Sequence, residues 1–270
     1  MINSVAVVGC GWFGLPLAKA LVTQGIKVSG SKRDLQKALG LNQDGIDGFK
    51  LDLTHDVKLN PPDLAKLHAD AIVINIPPGL RRGDNDYLER LSRLVDLIGA
   101  HIYQKIVFIS TTGVYPANGK LMTEADAEAH SNSSETLLKA ESFFASATVV
   151  RFAGLMGPKR HPGRFLAGKT GLKGANLAVN MTHLDDAVAA VSCILAHLGP
   201  LAPIYNVCTA HHPSKQAFYQ QAAEGLELTA PQFDTLGEAN EDKRVDGSLI
   251  SRQLGYQYRH VDLFEALQCC

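Results

Sequence analysis

Short β-branched runs alternate along this chain with longer stretches whose apolar residues return every three or four positions. Residues 5–8 form an apolar run that ends in glycines, and Leu17, Ala20 and Leu21 follow at helical spacing. Residues 27–30 read as a second strand, 49–53 as a short third, and 71–76 as a fourth stopped by Pro77 and Pro78. Leu88, Leu91, Leu94, Val95 and Ile98 lie on one stripe of a long amphipathic helix. A strand at 106–109, a helix at 137–144 and a strand at 148–150 complete this part. Strands separated by helices predict a parallel sheet covered on both faces, a doubly wound α/β fold. Beyond Arg151 glycine and proline become frequent. Shorter elements follow: a helix at 184–198, a strand at 204–208, and a helix at 214–226 with Ser214 as its cap. Residues 1–150 are therefore expected to bind a nucleotide. Residues 151–270 are expected to form a smaller mixed α/β substrate-binding part that lends one or two strands back to the sheet.

Composition narrows the function. Hydrophobic residues make up 46% of 270 and charged residues 20%, enough for a sizeable core. Lys+Arg is 26 against Asp+Glu 27, which argues against a nucleic-acid binder. The longest apolar run, 71–78, is far shorter than the roughly 20 residues of a membrane span, and the N-terminus lacks the basic start of a signal peptide. The five cysteines, at 10, 193, 208, 269 and 270, have no metal-ligand spacing, so no metal is expected and a reducing cytoplasm fits.

Gly9, Gly11 and Gly14 form a G-x-G-x-x-G between a predicted strand and a predicted helix. In that setting Gly9 allows the turn, Gly11 clears the approach of a pyrophosphate, and Gly14 lets helix and strand pack closely. The helix start then offers its N–H groups to the phosphates. The whole turn, Trp12 and Phe13 included, is the candidate cradle of a Rossmann domain. At the end of the second strand, where NAD enzymes place an acid, stand Ser31, Lys32 and Arg33. They suit a 2′-phosphate by charge and hydrogen bonding, which favours NADP over NAD.

The segments VAVVGCGWFGLPLAKAL, IVFISTTGVYP, VVRFAGLMGPKRHPGRF, NMTHLDDAVAAV, IYNVCTAHHPSKQAFY and KRVDGSLISRQLGY resemble the extended short-chain dehydrogenase/reductase superfamily of NAD-dependent epimerase/dehydratase type, closest to its YeeZ-like atypical branch. The resemblance runs nearly end to end. It implies that Asp52 and Leu53 lie against the adenine, that Ile76, Pro77 and Pro78 line the cofactor, and that Ser110 and Thr111 sit near the nicotinamide. It puts Thr111 at the catalytic Ser/Thr position, four residues before Tyr115. Active relatives also carry Tyr-x-x-x-Lys at the start of the next helix. Aligned on Ala140 and Glu141, those positions hold Ser133 and Leu137, while Ser134 and Lys139 are out of phase.

A serine without an adjacent base is a poor proton donor. Tyr115 and His161 are the candidates to replace it; the rival reading is a packing or substrate-lining role for Tyr115 and an exposed loop histidine for His161. His183, Asp185 and Asp186 read as a packed histidine and helix-start acids. Six Lys/Arg (151, 159, 160, 164, 169, 173) and no acid fall between 151 and 183. Arg160 and Arg164, with Thr112, are the candidate contacts to an anionic substrate. Two functions stay open. One is an NADP-dependent oxidoreductase or epimerase/dehydratase-like enzyme for a small, anionic hydroxyl or carbonyl substrate. The other is a catalytically silent NADP(H)-binding redox sensor. A monomer or homodimer fits either.

Overall fold

The computed structural model describes every residue except Arg81, Arg82, Asp84, Ala145 and residues 235–241. Its strands are β1 (Ser4–Val8), β2 (Lys27–Lys32), β3 (Ile46–Lys50), β4 (Ala71–Ile74), β5 (Lys105–Thr111), β6 (Leu121–Met122), β7 (Thr148–Phe152), β8 (Gly154–Met156), β9 (Met181–His183), β10 (Ile204–Val207) and β11 (Arg244–Val245). Its helices are α1 (Gly14–Thr23), α2 (Leu35–Leu39), α3 (Pro61–Ala65), α4 (Tyr87–Ile98), α5 (Asn132–Glu141), α6 (Gly163–Leu166), α7 (Leu184–Ala196), α8 (Lys215–Glu224), α9 (Ser248–Leu254) and α10 (Leu263–Ala266). Seven strands form one parallel sheet in the order β10-β7-β5-β4-β1-β2-β3. The expected doubly wound fold is what forms, with β10 supplied from the last third of the chain.

The chain makes two compact units. The first comprises Met1–Ser110, Ser131–Val150 and Val188–Ile204; the second comprises Thr111–His130, Arg151–Ala187 and Tyr205–Cys270. In the first, β1 and β4 are buried on both faces, as a central parallel strand requires, so their sequences are continuous apolar runs rather than alternating ones. Leu91, Leu94 and Ile98 of the predicted stripe are buried, and Val95 on its margin is exposed. In the second, Met156, Val179, Met181, Phe218, Ala222, Leu263 and Leu267 form the apolar core. Two short pairs, β6 with β11 and β8 with β9, add to that unit. No periodicity announces strands of two or three residues.

Several boundaries differ from the expected ones. The third strand spans Ile46–Lys50 rather than 49–53, because it pairs with β2 from Val28↔Ile46 to Lys32↔Lys50. The fourth ends at Ile74 rather than 76, although the Asn75 N–H still bonds the Val8 carbonyl (2.9 Å). The helix expected at 137–144 begins at Asn132. Ser131 and Ser134 form a reciprocal cap there, with each side chain bonded to the other's backbone N–H. Ser214 caps α8 as expected.

The end of α7 is held by a distant side chain. Lys105, at the start of β5, donates from Nζ to the carbonyls of Ile194 (2.8 Å), Leu195 (2.9 Å) and His197. These are carbonyls that a helix C-terminus leaves without partners. Lys105→Met is expected to lower stability by about 1–3 kcal/mol, measured as a lower urea midpoint at unchanged m-value.

Candidate functional site

The glycine turn is built by close approach. Gly9 has φ +96°, and a Cβ on it would stand 2.2 Å from the Asn75 carbonyl oxygen. A Cβ on Gly14 would stand 2.2 Å from the Gly9 carbonyl oxygen. Only hydrogen fits at either place. A Cβ on Gly11, by contrast, meets nothing within 4 Å. The first and third glycines thus let backbone pass backbone, and the second leaves room above the turn. Ser31 and Asn75 hold this shape. Ser31 Oγ accepts the Gly9 N–H (3.0 Å), the Ser31 carbonyl accepts the Cys10 N–H (2.9 Å), and Asn75 Nδ2 donates to the Gly9 carbonyl (2.9 Å). α1 then starts without a side-chain cap and with no acid in its first turn, the electrostatic setting that suits an anion.

At the end of β2 Ser31 is buried, Lys32 half-buried and Arg33 exposed. Asp52 accepts from the Thr54 hydroxyl (2.8 Å) and N–H (3.1 Å). The hydroxyl bond, with the nearby Arg33 charge, keeps its carboxyl below the usual range despite partial burial. Leu53 is buried; Ile76 and Pro78 are half-buried and Pro77 is exposed. Trp12 is half-buried and Phe13 buried.

At the end of β5, the buried Ser110 donates from Oγ to Glu141 Oε1 at 2.6 Å, within the first unit. On α5, Ser134, Leu137 and Ala140 form the buried face. Ser133 is exposed, and Lys139 pairs with Glu135 on the solvent side at 2.7 Å. Lys139 is therefore on a different face from Leu137, as the spacing predicted.

The second unit opens with Thr111, half-exposed, whose Oγ1 accepts the Gly113 N–H at 3.3 Å. Thr112 is buried and gives its carbonyl to Lys243 Nζ. Tyr115 is fully buried. Its hydroxyl donates to Asn206 Oδ1 (2.7 Å) and accepts from Arg151 Nη1 (2.7 Å), and the guanidinium lies over its ring. Arg151 also donates to the Glu124 carbonyl (3.0 Å), while Glu124 Oε1 accepts the Asn206 N–H (2.9 Å). Lys243 Nζ donates to the Tyr115 carbonyl at 2.6 Å. Burial is the leading cause of each shift here: it pushes the Tyr115 hydroxyl and the Glu124 carboxyl up and the Lys243 ammonium down. Sequence reading missed this knot, since nothing local marks Asn206 or Lys243 as partners of Tyr115.

His161 is also buried. Its Nδ1 accepts the Gly163 N–H (3.0 Å), the backbone of Leu267 bonds its ring, and burial draws its pKa down. Tyr115 and His161 thus both bond to protein partners, and His161 is buried rather than on an exposed loop. Of the six cationic residues between 151 and 183, Arg151 is buried in the knot; Lys159, Arg160, Arg164, Lys169 and Lys173 are exposed.

No family model matches the chain. The protein YeeZ of Escherichia coli (strain K12) is 38% identical over 275 residues, covering 97% of each chain. The chain belongs to the family of YeeZ. Among solved structures, the UDP-glucuronic acid 4-epimerase of Bacillus cereus, in complex with UDP-glucuronic acid and NAD, superposes with a TM-score of 0.77 at 18% identity, over 98% of this chain and 97% of that one. The UDP-glucose 4-epimerase of Thermotoga maritima, with UDP-glucose, gives 0.77 at 17%, over 98% and 96%. At such identities the likeness shows a shared fold. Among the described residues no helix is long and apolar enough to cross a membrane.

Two outcomes follow. Gly9→Ala is expected to cost about 1–3 kcal/mol through strain and clash, whereas Gly11→Ala leaves the melting temperature unchanged; thermal melts of the two separate the roles. Because the Glu124 carboxyl is raised in the fold, its contribution to stability is fully present below the unfolded carboxylate pKa and is lost as pH rises through the folded value. Glu124→Gln, which keeps an acceptor for Asn206, is therefore expected to gain on the native protein as pH rises from 4 to 7. A difference in urea midpoint that stays constant over that range is the contrary result.

Proposed function

We propose that this chain binds NADP(H) at residues 9–14 and acts as an oxidoreductase or epimerase/dehydratase-like enzyme on a small anionic hydroxyl or carbonyl substrate. The observation that carries the reading is the open space at Gly11 in a turn whose other two glycines are sterically obligatory. Gly9, Gly11, Trp12, Phe13 and Gly14 form the phosphate cradle, with Ser31 and Asn75 as its supports. Lys32 and Arg33 take the 2′-phosphate. Asp52 and Leu53 flank the adenine, and Ile76, Pro77, Pro78 and Ser110 line the rest. Bound there, the dinucleotide supplies hydride transfer.

Thr111 polarises the reacting oxygen through its hydroxyl. Tyr115, Arg151 and Lys243 position Thr111 and Thr112 by fixing the backbone just after β5. Arg160 and Arg164, exposed beside Lys159, attract the anionic group; the carboxylate and diphosphate of the ligand in the Bacillus cereus epimerase illustrate the chemistry that suits them. A second reading, a silent NADP(H)-binding sensor, is favoured by one specific feature: Ser133 and Leu137 stand where relatives carry Tyr and Lys, and Tyr115 and His161 are committed elsewhere.

Fluorescence titration tests the cofactor. Lys32→Ala/Arg33→Ala is expected to weaken NADPH by at least about tenfold, some 1.4 kcal/mol, and to leave NADH unchanged. Gly11→Val is expected to abolish binding of both with the melting temperature retained. A native protein that prefers NADH sinks the 2′-phosphate assignment. Oxidation of NADPH across a panel of anionic carbonyl compounds supports the enzyme, and cofactor binding without turnover supports the sensor.

A further inference from the structure

The second unit holds a group of metal-ligating side chains that the function above does not use. His183 is the last residue of β9, Asp185 lies in the first turn of α7, and His260 precedes α10. The buried carboxylate of Asp186 brings them together. It accepts from the Tyr256 hydroxyl (2.8 Å), the Arg259 N–H (2.7 Å) and the His260 N–H (3.1 Å), which pins the backbone of residues 256–260 against the start of α7. The imidazoles of His183 and His260 then pack 3.8 Å apart between centroids. Asp185 Oδ2 lies 3.1 Å from His260 Nε2 and 3.5 Å from His183 Nδ1.

The protonation pattern of His183 is set by its other nitrogen. Nε2 stands 3.2 Å from the Cys269 carbonyl oxygen, which can only accept, so Nε2 carries the hydrogen and Nδ1 keeps its lone pair on the side of Asp185. A ligating histidine is held in this way, with its outward N–H on a backbone carbonyl. We propose that His183 Nδ1, Asp185 Oδ2 and His260 Nε2 bind one divalent transition-metal cation of the Zn²⁺ type, with water in the fourth position. Ligand atoms about 2.0–2.2 Å from a tetrahedral zinc stand about 3.3–3.6 Å from one another; the 3.5 Å spacing to Asp185 Oδ2 falls in that range and the 3.1 Å one just below it, and all three ligand atoms lie within 4.8 Å of one another. Two imidazoles and a carboxylate suit zinc rather than magnesium or calcium. The cation replaces the long hydrogen bond from the Asp185 N–H to His183 Nδ1 (3.2 Å) and the ion pair of the exposed Arg259 with Asp185 (3.7 Å). Asp185 is exposed, which gives the cation its way in. Bound there, it clips the start of α7 to the segment carrying Leu263 and Leu267 of the second unit's core.

The test titrates the metal-stripped full-length chain with Zn²⁺ against a chromophoric chelator. Thermal melts are recorded with and without excess zinc. The expected result is one zinc per chain and a melting temperature raised by a few degrees, as binding to the native state alone requires. Asp185→Asn and His260→Gln, both at the edge of the cluster, are each expected to lose at least about 100-fold in affinity, and zinc no longer raises their melting temperature. Cys269→Ser/Cys270→Ser is expected to bind as the native chain does. Failure of the native chain to bind zinc, native-like affinity in the Asn and Gln variants, or loss of binding in the double serine variant each overturns the proposal.

Discussion

Two backbone strands of this protein pass closer than any side chain allows. The carbonyl of Asn75 occupies the space where Gly9 would carry a Cβ, and the carbonyl of Gly9 does the same to Gly14. From this approach the rest of the first unit takes its shape. β1 and β4 can lie side by side to their ends, α1 can start directly over the turn, and the Asn75 amide can reach the Gly9 carbonyl. The turn stays open over Gly11. An open turn at an uncapped helix start suits an anion, which can meet backbone N–H groups there.

The second unit solves a different problem, that of burying charge. Arg151, Asp186 and Lys243 lie wholly or largely inside, and each is met by several hydrogen-bonding partners, mostly backbone. An unpaired charge there costs several kcal/mol, so these side chains dictate which loops stay together. Arg151 joins β7 to the Tyr115 turn and to the Glu124 carbonyl. Asp186 joins α7 to the chain's last fifteen residues. Lys243 closes the loop that follows β5. The same device that stabilises the unit thus fixes the backbone around Thr111 and Thr112, and brings His183, Asp185 and His260 within reach of one another.

Some candidate residues have bonding partners that the sequence does not announce. Tyr115 and His161 are reactive residue types near a predicted site, and by themselves they suggest proton donors. Their partners lie far along the chain: Asn206 is 91 residues from Tyr115, and the backbone of Leu267 closes on His161. Arg151 likewise counts as one of six cations in a row until its burial removes it from the surface charge. Ser31 reads as a third phosphate contact, and in the fold its hydroxyl oxygen also accepts the Gly9 N–H, a partner 22 residues away. The third strand was displaced by three residues because register with β2, rather than local apolar content, chose its limits.

What the sequence determined by itself is what short-range physics carries. The alternation of apolar runs and helical stripes specified a parallel sheet with helices. Three glycines between strand and helix specified the turn, and the phase of α5 showed Lys139 leaving the face of Leu137. Those signals depend on backbone sterics and on periods of two and 3.6 residues, which neighbours in sequence set. Only the tertiary structure decided which polar side chains are free to do chemistry, because hydrogen-bond partners and desolvation come from segments that no local period connects.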